Sequence, residues 1–246
     1  MKRDEIYRDQ ERRPGDFVFD ARVAEVFDDM LERSVPHYRE QQQMICNLGR
    51  NLWREGRVIY DLGCSTGNTL IGLGQALPAA QLVGYDNSAP MLERAQRNLA
   101  DHGLDTRTEL KRADFNGELK DMPLENAGIV TLCWTLQFVR PLRRDRLIRW
   151  IHEALADGGA LIVTEKILTG NGDMNRFFID RYYDFKRDRG YSDLEIAAKR
   201  EALENLLVPY RADENIDLFR RNGFEIVETF FQWFNFAGFL CVKKGA

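Results

Sequence analysis

The sequence predicts an α/β protein built on a doubly wound, mostly parallel, seven-stranded sheet. The first observation is the run Val58–Asn68, an apolar strand that ends in an acidic residue and a glycine-containing turn, with a helical pattern from Thr69. The second is the alternation that follows, which reads β-α-β-α-β-β-α-β through residue 165. Two further β runs, 225–229 and 233–242, close the chain and include an antiparallel strand.

Two helices precede the first strand. Val23, Val26, Phe27, Met30 and Leu31 recur at helical spacing, and the preceding Asp20 is placed to cap this helix. After a turn, Pro36 is suited to open a second helix over about residues 37–54. The charged and polar residues 1–16 are predicted to form a mobile arm or a surface strap.

The strands after the first turn are followed at their carboxyl ends by residues that can bind a ligand. Leu82–Tyr85 is a short strand closed by Asp86, and Pro90 lies in the first turn of the helix that follows. A strand near 108–111 leads to Asp114 and Phe115. Ala127–Cys133 is apolar and β-branched, which predicts a buried central strand. Carboxyl ends of parallel strands meet at one edge, so these ends predict a binding site there.

The second half departs from simple alternation. A helix of about 141–156 is predicted to end at Asp157-Gly158-Gly159, before the fifth strand at 160–165. Its arginines are predicted to lie on outer faces, as a solvated surface: Arg143, Arg144, Arg146 and Arg149. Residues 168–212 form a helical insertion rich in aromatic and basic residues, in which Ser192 and Glu195 make a capping box. This insertion is predicted to supply an acceptor pocket or a dimer contact.

Composition excludes several classes of function. The 246 residues carry a net charge of −4, so no overall basic field favours direct nucleic-acid binding. Neither cysteines nor histidines have the spacing of a metal site, and free thiols indicate a reducing cytoplasm. No apolar run is long enough to cross a membrane, and the amino terminus is no secretory signal. We expect a cytoplasmic protein without membrane or metal, forming a single domain over 1–246.

The loop at Asp61 indicates the ligand. It reads D-x-G-x-S-x-G, with its acid on the strand before the glycines, and this resembles motif I of the class I S-adenosyl-L-methionine (SAM) methyltransferases. Asp86 follows the glycines by about 20 residues and is placed to accept from both ribose hydroxyls. An ordinary strand-to-helix turn with a surface aspartate is the alternative. In the SAM-binding fold Asp114 and Phe115 face adenine, and Gly63, Ser65 and Asp61 hold the methionine part.

More particular motifs extend along nearly the whole chain. They resemble the carboxy-SAM synthase family and are Phe17-x-Phe-Asp-x-Arg-Val-Ala-Glu-Val-Phe27, Ser34-Val-Pro-x-Tyr38, Tyr60-Asp-Leu-Gly-Cys-Ser65, Asp86-Asn-Ser-x-Pro-Met91, Thr135-Leu-Gln-Phe138, Asp184-Phe-Lys-Arg187, and Gly190-Tyr-Ser-x-Leu-Glu-Ile196 with Lys199-Arg200.

The resemblance implies an enzyme that uses SAM and prephenate to make carboxy-SAM and phenylpyruvate, without a metal. The product would pass to a separate enzyme that modifies the wobble uridine of tRNA. A homodimer is implied, because in this family the arginine matching Arg200 binds a carboxylate and reaches the site of the partner subunit. Residues 1–54 would be an arm and lid helices. The SAM contacts implied are Tyr38, Gly63, Cys64, Ser65, Asp86, Asn87, Asp114, Phe115, Cys133 and Arg200.

Four residues bear on the chemistry. Methyl transfer usually needs a base near the acceptor, and the candidates are His37, Tyr38 and Glu165; the synthase reaction needs no strong base. The chain departs from the family pattern at Cys133, where the family usually has Asn, and at His37, where it has Gly. The alternatives are a conventional SAM-dependent methyltransferase acting on a small molecule, and a silent SAM-binding scaffold.

Overall fold

A mixed sheet with helices on both faces organises the chain. The computed structural model describes residues 2–8, 17–119 and 122–245, and none of the helices in these ranges is long and apolar enough to cross a membrane. The helices are α1 (Ala21–Ser34), α2 (Tyr38–Leu52), α3 (Asn68–Ala76), α4 (Ala89–Asp101), α5 (Pro141–Ala154), α6 (Gly172–Asp188), α7 (Asp193–Leu203) and α8 (Ala212–Arg221). The strands are β1 (Val58–Leu62), β2 (Gln81–Asp86), β3 (Thr108–Arg112), β4 (Ala127–Cys133), β5 (Leu155–Leu168), β6 (Tyr210–Arg211), β7 (Ile226–Trp233) and β8 (Phe236–Val242).

The strand order is β3-β2-β1-β4-β5-β8-β7, and the two-residue β6 pairs with the end of β5. The five neighbouring strands β3, β2, β1, β4 and β5 are parallel. Strand β8 is antiparallel to both β5 and β7. This arrangement confirms the predicted doubly wound, mostly parallel sheet and its closing hairpin. The order reverses between β1 and β4, which opens a crevice at the carboxyl ends of these two strands.

Local sequence signals explain the helix starts. The Asp20 carboxylate accepts from the backbone N–H of Arg22 and Val23, as a capping residue should. The predicted capping box at Ser192 and Glu195 is formed at the start of α7. Helix α8 had no counterpart in the predicted elements, although its amphipathic face packs on the sheet through the buried Leu218 and Phe219.

The predicted stop of α5 at Asp157-Gly158-Gly159 is wrong. The helix ends at Ala154, and these three residues lie within β5, where pairing with β4 shifts between Leu155 and Ala160. Gly158 has a φ of +73°. A bulge and a helix stop both use a glycine in the left-handed region, so the two cannot be told apart from the glycine alone.

Arg144 is not on an outer face, contrary to the prediction for the arginines of α5. It is 1% exposed, and its guanidinium donates to the backbone carbonyls of Val139 at 2.9 Å and Val208 at 2.6 Å. The guanidinium also lies 4.1 Å from the centre of the Tyr210 ring. Arg144 therefore ties α5 to the segment that follows α7, which is a structural role that charge patterning does not reveal.

The amino-terminal segment packs where it is described. Asp4 is buried, and its carboxylate accepts from the Tyr191 hydroxyl at 2.5 Å. The Arg33 guanidinium donates to the backbone carbonyl of Asp4 at 2.9 Å. Residues 2–8 thus behave as a strap over α1 and the α6–α7 turn, while 1 and 9–16, the rest of the predicted arm or strap, lie outside the described residues.

Candidate functional site

The turn between β1 and α3 forms the floor of the crevice. Gly63 has a φ of +85°, and a Cβ there would lie 2.2 Å from the Thr135 hydroxyl, so no other residue fits. Ser65 also has a positive φ, of 47°. This strained turn packs closely on the loop after β4 and turns its backbone towards a cavity of about 640 Å³.

Asp86, at the end of β2, shapes the same turn. One carboxylate oxygen accepts from the Ser65 N–H and the other from the Ser88 N–H, both at 2.9 Å. The side chain is 8% exposed and lines the cavity, and burial raises its pKa. A carboxylate accepts about four hydrogen bonds, so Asp86 retains acceptor sites for ligand hydroxyls.

Aromatic rings surround one end of the cavity. Phe115 is buried and Asp114 exposed, and both line the cavity with Asn87. The ring of Phe138 lies 5.6 Å from that of Phe19 in an edge-on arrangement. This end therefore offers flat apolar surfaces beside a carboxylate, the combination that a purine base needs.

Near the centre of the crevice the lining is acidic and buried. Asp61 is 1% exposed, its carboxylate accepts from the Thr131 hydroxyl at 2.6 Å, and burial raises its pKa to about 7. Tyr38 reaches the cavity from α2 and accepts from Asn68, and burial raises its pKa. Cys133 lines the cavity as well, and burial raises the pKa of its thiol.

Cys64 contributes differently from its neighbours in the turn. Its side chain is buried, and its Sγ lies 2.8 Å from where a Cβ on Gly84 would be. Its backbone N–H donates to the Tyr85 carbonyl at 3.0 Å. The Cys64 carbonyl accepts from the Gly67 N–H at 2.8 Å. The thiol therefore packs in the core beneath the turn, and both backbone polar groups of Cys64 serve to fix the turn.

The part of the cavity wall contributed by β5, α6 and α7, here called the basic end, is cationic. Arg200, on α7, is exposed at the cavity of its own chain beside Tyr183, whose hydroxyl raises the pKa of the guanidinium. Three lysines also line the cavity there: Lys166, Lys186 and Lys199. The cavity thus joins an acidic end at β1 and β2 to a basic end formed by β5, α6 and α7.

Of the three candidate bases, only Tyr38 lines the cavity. Glu165 is 1% exposed behind the loop after β4, where it accepts from the backbone N–H groups of Leu136 and Gln137. His37 is exposed on the outer surface, with its ring 6.4 Å from the rings of Phe231 and Trp233. The raised pKa of Tyr38 makes it a poor proton acceptor until its hydroxyl is ionised.

His37 occupies a position with φ of 54°, which suits glycine, the residue expected there from the family pattern. We expect His37→Val to lower the free energy of unfolding by about 1–2 kcal/mol, because a β-branched residue is strained in this conformation. His37→Gly should change it by less than about 1 kcal/mol, since relief of strain offsets the lost ring contacts. Urea unfolding of both variants measures this, and equal stability of the two would contradict it.

Several cavity residues were not singled out as site residues from the sequence. Lys166 follows Glu165 at the carboxyl end of β5, and Trp134, with a φ of 60°, follows β4. Both positions obey the rule that strand ends line the crevice, which was the available signal. Asp28 supports the site from outside the cavity lining and had no such signal: from α1 it accepts from Thr66 and Asn68, at 2.7 and 2.9 Å, and so ties α1 to the turn.

Comparison with known proteins agrees with this geometry. Residues 59–159 match the family model described as a methyltransferase domain. The carboxy-S-adenosyl-L-methionine synthase of Methylococcus capsulatus is 50% identical over 99% of this chain and 100% of its own length. The enzyme of the same name from Desulfotalea psychrophila is 44% identical, over 98% of each chain.

Solved structures are similar in fold. An O-methyltransferase family protein from Burkholderia thailandensis gives a TM-score of 0.68 at 17% identity, over 92% of this chain and 61% of that one. Human N-acetylserotonin methyltransferase, solved in complex with SAM, gives 0.60 at 14% identity, over 97% and 58%. The chain spans about 60% of these longer proteins, and the likeness shows a class I methyltransferase fold.

Proposed function

The chain belongs to the carboxy-SAM synthase family, and on that premise we propose that it converts SAM and prephenate into carboxy-SAM and phenylpyruvate. It is a SAM-dependent transferase with a class I methyltransferase fold. In the proposed reaction SAM is a substrate and no metal takes part. The relatives' names supply the product, and the second substrate is our proposal.

The proposed reaction balances without an external oxidant or base. Prephenate loses its ring carboxylate as CO2 and expels hydroxide, which leaves phenylpyruvate. The hydroxide removes a proton from the SAM methyl group, giving water and a sulfonium ylide. The ylide carbon then forms a bond to CO2, giving carboxy-SAM. The protein has to hold both substrates close together and exclude bulk water, because water would otherwise protonate the ylide.

The observation that carries the proposal is the two-ended cavity. Its acidic, aromatic end suits a nucleoside with a cationic methionine part, and its basic end suits an anion. Prephenate carries two carboxylates, so its charge matches the basic end. An ordinary methyl transfer would require a base beside the acceptor instead. Of the three candidate bases, Tyr38 alone is among the described residues that line the cavity. Its raised pKa disfavours a role as the base.

We assign roles to the predicted SAM contacts on this basis. Asp86 binds the ribose hydroxyls, and Asp114 and Phe115 bind adenine. The backbone of the turn after β1 holds the methionine part, together with Tyr38 and Cys133. A thiol is a weaker hydrogen-bond partner than the amide usual in the family, so the backbone or water takes over that bond. The full set predicted from the sequence is Tyr38, Gly63, Cys64, Ser65, Asp86, Asn87, Asp114, Phe115, Cys133 and Arg200, of which Arg200 binds the added carboxylate of carboxy-SAM.

We further propose a cytoplasmic homodimer whose product passes to a separate enzyme that modifies the wobble uridine of tRNA. These statements rest on the family pattern, and the net charge of −4 supports a protein that does not itself bind tRNA. Light scattering of the purified protein should give twice the mass of the chain. A mass equal to that of one chain would contradict the dimer.

The proposed reaction is tested by mass spectrometry of purified protein incubated with SAM and prephenate. We expect a product heavier than SAM by one CO2, with phenylpyruvate formed in equal amount, because both come from one turnover. The control omits prephenate and should leave SAM unchanged.

Two outcomes would contradict the proposal. S-adenosylhomocysteine formed with a small acceptor, in place of the heavier product, would indicate an ordinary methyltransferase. SAM binding without turnover of prephenate or any acceptor would indicate a binding protein.

A further inference from the structure

Two lysines at the basic end of the cavity have no acceptor. Among the described residues, neither the Lys166 nor the Lys186 ammonium makes a hydrogen bond or an ion pair. Both lie against one aromatic ring, with their Nζ atoms 4.9 and 4.7 Å from the centre of the Tyr182 ring. The Tyr182 hydroxyl donates to the Ser34 carbonyl at 2.9 Å, which holds the ring in place.

The third lysine, Lys199, differs because its ammonium has both a hydrogen-bond acceptor and a counter-charge. It donates to the Ser34 hydroxyl at 3.0 Å and lies 3.7 Å from the Asp4 carboxylate. Asp4 in turn is held by Tyr191 and the strap. Lys199 therefore belongs to the structural network between α7 and the amino-terminal segment, whereas the other two lysines face the cavity without a counter-charge in contact.

Leaving two cations unpaired in this setting is unfavourable. Lys186 is 6% exposed, and its pKa is lowered by burial and then by the charges of Lys199 and Lys166, against a smaller opposite effect of Asp4. Burial lowers the pKa of Lys166 to about 8. An unpaired buried charge destabilises a fold unless something compensates it, and an anionic ligand would do so.

The surroundings of the lysines suit a ring. Phe236 packs edge-on against both Tyr182 and Trp134, with ring centres 4.9 and 5.6 Å apart, and all three line the cavity. The basic end is therefore a slot with aromatic walls and two ammonium groups. Arg200 differs from this pair in being exposed.

We propose that Lys166 and Lys186 form the subsite for the carboxylate that the second substrate keeps through the reaction, the one present in phenylpyruvate. This deepens the proposed function and rests on it for the identity of the substrate. The cations of the basic end then bind different groups: the lysine pair binds the retained carboxylate, and Arg200 binds the carboxyl group that is transferred. The retained carboxylate is present in both prephenate and phenylpyruvate, so two cations that bind it can keep their counter-charge throughout the reaction.

The subsite is tested by phenylpyruvate binding to the SAM complex, measured by calorimetry. We expect Lys186→Met and Lys166→Met each to weaken phenylpyruvate binding at least 10-fold, with SAM affinity unchanged within 3-fold. Phenylacetone, which has the same ring and ketone but no carboxylate, should bind wild type and variants alike. With prephenate, the variants should show a raised KM and a smaller change in kcat.

A structural role for the lysines makes the opposite predictions. If their purpose is to support the Tyr182 ring, Lys186→Met should lower the melting temperature and leave phenylpyruvate binding intact; that result would overturn the subsite. Our proposal expects an equal or higher melting temperature, because an unpaired buried cation is removed. The outcome does not depend on turnover: phenylpyruvate binding that needs both lysines supports the subsite even if prephenate is not consumed.

Discussion

Arg200→Ala is expected to lower kcat/KM for carboxy-SAM formation by about 100- to 1000-fold while SAM affinity changes less than 3-fold. Removing one partner of a charged carboxylate contact in a binding site costs about 2–5 kcal/mol, and each 1.36 kcal/mol is a factor of ten. SAM affinity is spared because the proposed contacts to SAM itself come from Asp86, Asp114 and the turn after β1, whereas Arg200 is proposed to bind the transferred carboxyl group. Mass spectrometry of carboxy-SAM formation measures kcat/KM, and calorimetric titration measures the affinity for SAM.

The matched control is Arg149→Ala, which removes an exposed arginine of α5 outside this cavity and should leave both quantities unchanged. Unaltered turnover in Arg200→Ala would remove this arginine from the site. Mixing Arg200→Ala with Asp86→Ala chains tells which subunit supplies it. If Arg200 acts across a dimer, mixed dimers recover activity; if it serves the cavity of its own chain, where this structure has it, they do not.

Asp86→Ala is expected to weaken SAM binding by at least about 100-fold. Two hydrogen bonds from ribose hydroxyls to a carboxylate contribute about 1.5–3 kcal/mol each. The substitution also leaves the Ser65 and Ser88 N–H groups without their acceptor, so the turn after β1, which we propose holds the methionine part, is no longer supported. Calorimetric titration with SAM measures the loss.

Asp101→Ala serves as the comparison for Asp86→Ala, because it removes an exposed carboxylate at the end of α4. Adenine-ring analogues without ribose should bind wild type and Asp86→Ala similarly. SAM binding of Asp86→Ala within a few-fold of wild type would refute the ribose role.

Most of the fold follows from local sequence signals. The period of apolar residues, the cap at Asp20 and the capping box at Ser192 depend on near neighbours, so the elements they mark were predicted within a few residues. Asp157-Gly158-Gly159 was misread because a bulge and a helix stop use the same backbone conformation. Arg144 was misread because its burial depends partly on packing against a distant segment, whose Val208 carbonyl lies 64 residues further along the chain.

The part of the cavity proposed to bind SAM was more predictable than the basic end. Gly63, Asp86 and Asp114 stand at strand ends, where position along the chain indicates position in space. The basic end is assembled from β5, α6 and α7 by tertiary packing, so a charged helix face and a buried anion site look alike in sequence. Of its lysines, Lys166 alone stood at a strand end.

The strap formed by residues 2–8 also bears on the order in which the molecule assembles. The Asp4–Tyr191 contact joins residues 187 positions apart, and the Lys199–Ser34 contact spans 165, whereas Ser65 and Asp86 are separated by 21. Closing long loops costs more entropy and delays the contacts that depend on them. During synthesis the nucleoside half can thus form on the ribosome before α7 has emerged, and the anion-binding half is completed last.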